Sequence, residues 1–126
     1  MSHTAPHARQ AHVLAWDQLP TDTPMPLIDR QRIIGDKAMI SRVTLKPGCF
    51  VPTHAHENEQ FAIVLSGRAV FGLGAEGSSD RKEVEAVGGQ VVVLPSGVPH
   101  SCRAIDETLI LDVFSPPSAG TGIDRR

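Results

Sequence analysis

Aromatic side chains are scarce in this chain of 126 residues, which has four Phe, one Trp and no Tyr. Proteins that grip single-stranded nucleic acid interleave such rings with Lys and Arg. No basic run exists here, and 12 Lys and Arg stand against 14 Asp and Glu, so nucleic acid is not expected as a partner. Long apolar runs are missing as well. None approaches the ~20 residues of a membrane span, and the first twelve residues, MSHTAPHARQAH, lack the apolar stretch of a secretory signal. The expectation is a soluble, cytoplasmic protein with no membrane partner. Cysteine is limited to Cys49 and Cys102, which are not spaced as a close metal-binding pair. In a reducing compartment each is expected to be a small core residue rather than half of a disulfide, with a supporting or redox role for Cys102, two residues from His100, as the alternative. The last absence is a helical period, which leaves β structure.

What is present fits a single β domain. The length suits one core and no second folded unit, and 40% hydrophobic against 21% charged residues is globular. Stretches rich in β-branched or apolar residues run over 13–16, 27–34, 39–45, 60–65, 69–73, 83–87, 90–94 and 108–114. Between them lie Gly35-Asp36, Lys46-Pro47-Gly48, Ser66-Gly67, Gly88-Gly89 and Pro95-Ser96-Gly97, the punctuation of turns. Such a series predicts an all-β barrel or jelly roll over residues 13–114. A flexible tail is expected at 1–12, where His3, His7 and His12 are irregularly spaced, and a Pro/Gly-rich tail at 115–126 that either leaves the barrel or folds over its mouth. The polar stretch Gly74–Arg81 reads as a surface loop.

The stretch that carries chemistry is His54-Ala55-His56. Along a strand alternate side chains share a face, about 7 Å apart, so both imidazoles can reach one ion inside a barrel. An isolated pair of this kind is as readily two solvated residues. Here Pro95-Ser96-Gly97-Val98-Pro99-His100 supplies a third histidine, and the set reads as a metal site.

The two blocks around these histidines resemble the paired signature motifs of the cupin family. The first runs from Gly48 through His54, His56 and Gln60 to Gly67, and the second from Gly89 through Pro95 and Gly97 to His100. The resemblance implies a double-stranded β-helix, a jelly-roll barrel that holds a metal among three histidines and a glutamate. Gln60 stands where most cupins have the glutamate, and Ala104 where the second motif usually ends in asparagine. Gln60 has the parity of His54 and His56 and is preferred as fourth ligand. Glu59 has the opposite parity and needs a bulge to turn inward. Imidazole and amide oxygen suit nickel, iron, zinc or manganese, and a neutral ligand set leaves the cation's full charge, which favours a small anionic substrate.

The last strand adds Asp112, on the face of Ile110 and Phe114 in an otherwise apolar run. An unpaired carboxylate is costly there, so it has either a structural partner or a chemical task such as general base. The run Asp112-Val113-Phe114-Ser115-Pro116-Pro117 is similar to that of a narrower group of cupins that open 4,5-unsaturated uronates into their linear keto form. That resemblance implies catalytic roles for Asp112 and Phe114. The group has an arginine after the two prolines, where this chain has Ser118, and Arg30, Arg32 and Arg42 are the substitutes available on other strands. An iron-dependent dioxygenase and a non-catalytic sensing or sugar-binding cupin are the alternative readings. Finally, residues 61–65 and 91–94 are apolar on both faces, so something must cover the barrel's outside. A homodimer is the expected solution.

Overall fold

The computed structural model describes residues 10–123. Ten strands follow a short 3-10 turn at Trp16–Gln18: β1 (Asp22–Met25), β2 (Ile28–Ile34), β3 (Met39–Leu45), β4 (Phe50–His54), β5 (Glu59–Ser66), β6 (Arg68–Leu73), β7 (Lys82–Val87), β8 (Val91–Leu94), β9 (His100–Ala104) and β10 (Thr108–Ser115). All pair antiparallel in two sheets, of order β1-β2-β3-β10-β5-β8 and β4-β9-β6-β7. Among the described residues no helix is long and apolar enough to cross a membrane.

Alternation along the strands places the core between the sheets. In β3 and β10 every second residue is buried, and the register sets Met39, Ser41, Val43 and Leu45 beside Phe114, Asp112, Ile110 and Thr108 on one face. Of these, Val43, Leu45 and Ile110 join Val51, Phe71, Ala86 and Cys102 of the smaller sheet in one buried cluster that also takes in Cys49. Burial pushes both thiols up from their ordinary values, Cys102 further than Cys49. Both are held as protonated core residues, as expected.

Three sequence expectations change. Residues 13–16 form no strand; Trp16 opens the 3-10 turn, and β1 lies further on at Asp22–Met25. The turn packs on the larger sheet through Arg42, whose guanidinium lies 5.6 Å from the Trp16 ring centroid, and through Gln31, which donates to the carbonyls of Trp16 and Leu19. Strands β4 and β9, which carry Pro52 or polar residues in short stretches, were not legible as strands. The third change is that His54 ends β4, so the strand does not run on through His56 to Gln60. The expected histidines at 3 and 7 lie outside the described residues.

Gly67 is the corner where the chain leaves β5 in one sheet and enters β6 in the other. Its φ of +91° is a left-handed conformation, and a Cβ there would overlap the Glu107 carbonyl oxygen and the Thr108 Cα. That approach lets the buried Thr108 hydroxyl serve the Arg68 backbone, 3.1 Å from both its N and its O. Gly67→Ala therefore combines a strained φ with a clash against backbone that cannot rotate away, and a loss of about 2–4 kcal/mol is expected in urea unfolding. A change under ~0.5 kcal/mol would show that the corner relaxes freely.

Candidate metal centre

His54, His56 and His100 meet at one mouth of the barrel, with ligand atoms all within 4.8 Å of one another. They arrive by three routes: His54 from the end of β4, His100 from the start of β9 directly opposite it, and His56 from the loop between the sheets. Ring centroids are 4.4 Å apart for His54 and His100 and 5.1 Å for His56 and His100.

The backbone decides which nitrogen of each ring faces inward. Nδ1 of His54 lies 2.8 Å from the Pro52 carbonyl, Nδ1 of His56 3.1 Å from that of Asn58, and Nδ1 of His100 3.0 Å from that of Val98. A carbonyl only accepts, so each neutral ring carries its proton on Nδ1 and presents the Nε2 lone pair. Burial, helped by the other two rings, lowers the His100 pKa to about 4. It is therefore neutral, as a ligand must be, at any ordinary pH.

Gln60, buried on β5, completes the set. Its Nε2 donates to Asp112 Oδ1 at 2.9 Å, which turns its Oε1 toward His56 Nε2 at 3.1 Å. With the His56 proton committed to Asn58, two lone pairs face each other there. A proton or a cation between them relieves that repulsion. Three inward imidazole nitrogens and one amide oxygen are a suitable donor set for a first-row divalent ion. Glu59, the competing ligand, is exposed on the opposite face of β5.

Asp112 sits in the same cavity, which is lined also by Ser41, Phe114 and Thr121. Its partner is neither backbone amide nor arginine but the Gln60 amide. Burial raises its pKa to about 7, with the Gln60 bond pulling the other way. Phe114 packs edge-on against the His56 ring, centroids 5.8 Å apart, which fits a residue that positions a ligand.

The arginines take separate places. Arg30 is buried in an ion pair with Asp22 at 2.6 Å, Arg42 lies against Trp16, and Arg32 donates to the Ala119 carbonyl at 3.2 Å. Ser118 bonds within its own segment, its hydroxyl 2.9 Å from the Gly120 carbonyl.

The C-terminal segment folds over the mouth. Asn58 Nδ2 donates to the Pro116 carbonyl and Ser115 Oγ to that of Lys37. Thr121 is buried, Ile123 packs on the core, and Gly122 lies so close to the His54 ring that a Cβ would overlap it. The room left inside for water-sized occupants is about 50 Å³. Asn58, Thr121 and Gly122 were not singled out from the sequence. Nothing in a Pro/Gly-rich tail or a polar loop residue marks a contact made only in the fold.

A two-sheeted β-barrel with three histidines converging at its mouth is an architecture that could hold a metal ion. The chain belongs to the cupin family, whose Cupin domain model matches residues 41–114. Among solved structures it is similar to KdgF from Halomonas sp., with 25% identity over 81% of this chain and 92% of that chain and a TM-score of 0.71. It is similar also to an RmlC-like cupin from Shewanella frigidimarina, with 18% identity over 90% and 97% and a TM-score of 0.77. A structure concerned with the Mn(II) centers of Bacillus subtilis oxalate decarboxylase matches at 19% identity and a TM-score of 0.74, over 91% of this chain but only 33% of that one. No match was found among curated proteins.

The raised Asp112 pKa has a consequence for the metal-free protein. A carboxyl whose folded pKa of about 7 exceeds its unfolded value of about 3.9 favours folding below the unfolded value and loses that benefit as pH rises through the folded one. Asp112→Asn keeps an acceptor for Gln60 and removes the charge. The metal-free variant is expected to melt above wild type at pH 8 and level with it near pH 4, by calorimetry with chelator present. A variant less stable at pH 8 would show that the carboxylate is held by a favourable contact.

Proposed function

We propose that this cupin is a metal-dependent enzyme acting on a small anionic sugar or related oxo-acid, and that its reaction is the opening of a 4,5-unsaturated uronate. The observation that carries the reading is the Gln60 amide joining His56 to Asp112, which puts a buried carboxyl of raised pKa one residue behind a neutral ligand set. The similarity of the run from Asp112 to Pro117 to the uronate-opening cupins supports it. So does the likeness to Halomonas KdgF, a chain of nearly this extent.

A divalent cation held by His54, His56, His100 and Gln60 supplies Lewis-acid polarisation of a bound hydroxyl or carbonyl and attracts an anionic ligand. Manganese, nickel, iron and zinc all suit the donors, and manganese is named for the oxalate decarboxylase of similar fold. Asp112 has Oδ1 committed to Gln60 and Oδ2 available to the cavity. Near neutral pH it takes a proton from the anomeric hydroxyl while the bond between C1 and the ring oxygen breaks. The enolate so released at C5 takes that proton back from Asp112 at C4 and becomes a ketone, so the reaction is an isomerisation with no net loss of atoms and the carboxylate is regenerated. Phe114 holds the His56 ring in place during this exchange.

Purified protein should contain about one divalent metal per chain and should remove the ultraviolet absorbance of unsaturated monouronates, which disappears with the conjugated double bond. Asp112→Asn should retain the metal and lose roughly 10²-fold or more in turnover. A metal-loaded protein inactive on every unsaturated uronate would favour a sensing or sugar-binding role instead. Loss of metal from the variant would make Asp112 an orienter of Gln60 only.

A cavity of about 50 Å³ holds about three waters, at ~15 Å³ for each, so a monosaccharide enters only when residues 119–123 move aside. Gly122→Ala puts a methyl group into the His54 ring at a φ of +100°, a strain of about 1–3 kcal/mol that raises the open population about tenfold or more. Chelator should therefore strip metal from the variant at least about tenfold faster. Equal stripping rates would mean that the segment does not control entry.

A further inference from the structure

Strand β2 begins with Ile28 and Arg30 buried on one face, and Arg32 follows them on the same parity. The register sets Arg32 opposite Ser41, and Ser41 opposite Asp112. Partners directly opposite in a sheet point to the same face. Arg32, Ser41 and Asp112 therefore form one row across the inner face of β2, β3 and β10. Ser41 and Asp112 line the cavity. With neighbouring strands ~4.8 Å apart, the Arg32 backbone lies two strands, roughly 10 Å, from that of Asp112.

The other arginines of the strands are engaged or face away. Arg30 gives Nε and Nη2 to the two oxygens of Asp22, Arg42 has the outward parity of β3 and lies against Trp16, and Arg68 and Arg103 are exposed. Arg32 is half-buried, and its charge helps to hold the Asp22 carboxyl below its ordinary value. Among the described residues its hydrogen bond is from Nη1 to the Ala119 carbonyl at 3.2 Å. One neutral acceptor leaves most of a guanidinium's donors unused, whereas a carboxylate takes two in parallel. That carbonyl belongs to the segment over the mouth, whose Thr121 and Ile123 line the cavity. Movement of the segment frees Arg32 as it admits a ligand.

We propose that Arg32 receives the carboxylate of the substrate, exchanging the Ala119 carbonyl for it as the segment moves aside; this rests on the reading of the site as a uronate-opening centre. Sheet order puts Arg32 on β2, Asp112 on β10 and Gln60 on β5. The proton-accepting carboxylate thus stands between the anchor for the substrate's acid group and one of the metal-ligand candidates. Holding the acid group at Arg32 keeps it two strands away from Asp112 and offsets the repulsion between two negative charges. It also makes the site select an acid over a neutral sugar, since a guanidinium left without its carboxylate gains nothing from the neutral ligand.

Rates of the metal-loaded protein on a 4,5-unsaturated monouronate and on its neutral methyl ester test the contact. Wild type should prefer the acid. Arg32→Gln should raise KM for the acid by roughly 10- to 100-fold, the worth of hydrogen bonds to a charged group, with kcat little changed and the ester handled as before. Arg32→Lys keeps the charge without the paired geometry and should retain part of the preference; it carries the test where Arg32→Gln fails to fold by circular dichroism. Arg42→Gln, on the outer face, should leave both substrates as in wild type. A merely structural tie to Ala119 would shift acid and ester equally, and that result overturns the proposal. Calorimetric titration with galacturonate and with galactose makes the same comparison without any reaction. If wild type turns over neither unsaturated compound yet binds galacturonate in preference, and the Arg32 variant loses that preference, the ring-opening reading fails and the role of Arg32 stands. A preference for galacturonate that the variant keeps, or that wild type lacks, overturns the role of Arg32 whatever the activity.

Discussion

The centre depends on the two-ended polarity of one side-chain amide. Gln60 donates through Nε2 and accepts through Oε1, and the buried Asp112 carboxylate can take only the donor end. That choice leaves the oxygen pointing at His56. A glutamate at this position would set a carboxylate against the Asp112 carboxylate in a buried site, so one of the pair would have to stay protonated. Glutamine avoids that conflict. It also leaves the ligand set uncharged, so the negative charge nearest a bound cation sits on Asp112 rather than on a ligand. The pair Gln60 and Asp112 therefore places on the second residue a charge that most cupins keep on the ligand itself.

Each histidine repeats a simpler version of the same logic. The carbonyl that takes its Nδ1 proton belongs to a residue two positions away, Pro52, Asn58 or Val98. Local backbone thus orients the rings, while sheet pairing brings them together: His54 lies opposite His100 in register, and Gln60 lies opposite both Phe114 and Leu94. Orientation is a short-range property and convergence a long-range one. The two are set by different parts of the chain.

That division explains how much was legible. Strand β3 shows the alternation that burial on one face demands, and its bounds of Met39 to Leu45 were read from the sequence without change. The histidines were visible because their spacing is a motif, and Asp112 because a carboxylate in an apolar strand is an anomaly. The route by which His56 and Gln60 reach the centre was misread. Counting parity along one strand put His54, His56 and Gln60 on one face, but the chain leaves β4 at His54 and re-enters a different sheet at Glu59. Short strands such as β9, which is buried except at Arg103 yet includes His100 and Ser101, carry too few apolar residues to announce themselves. The segment at 119–123 was open to two readings because its composition suits a coil. Its place over the mouth comes from single contacts, such as Gly122 on His54 and Arg32 on the Ala119 carbonyl, that no pattern encodes.

The same segment links access to the order of events at the site. With Thr121 and Ile123 lining it the cavity is narrow, and Asp112 is buried there, which strengthens the interaction of any bound cation with Asp112 and keeps the carboxyl's pKa sensitive to what enters. An anionic ligand that displaces the segment also brings negative charge toward Asp112 and so raises its proton affinity. A carboxyl already raised to about 7 by burial then gains basicity when such a ligand is present, and loses it when the ligand leaves. Burial and an arriving anionic ligand therefore act in one direction, making Asp112 a stronger proton acceptor while the site is filled, and the Gln60 hydrogen bond opposes them.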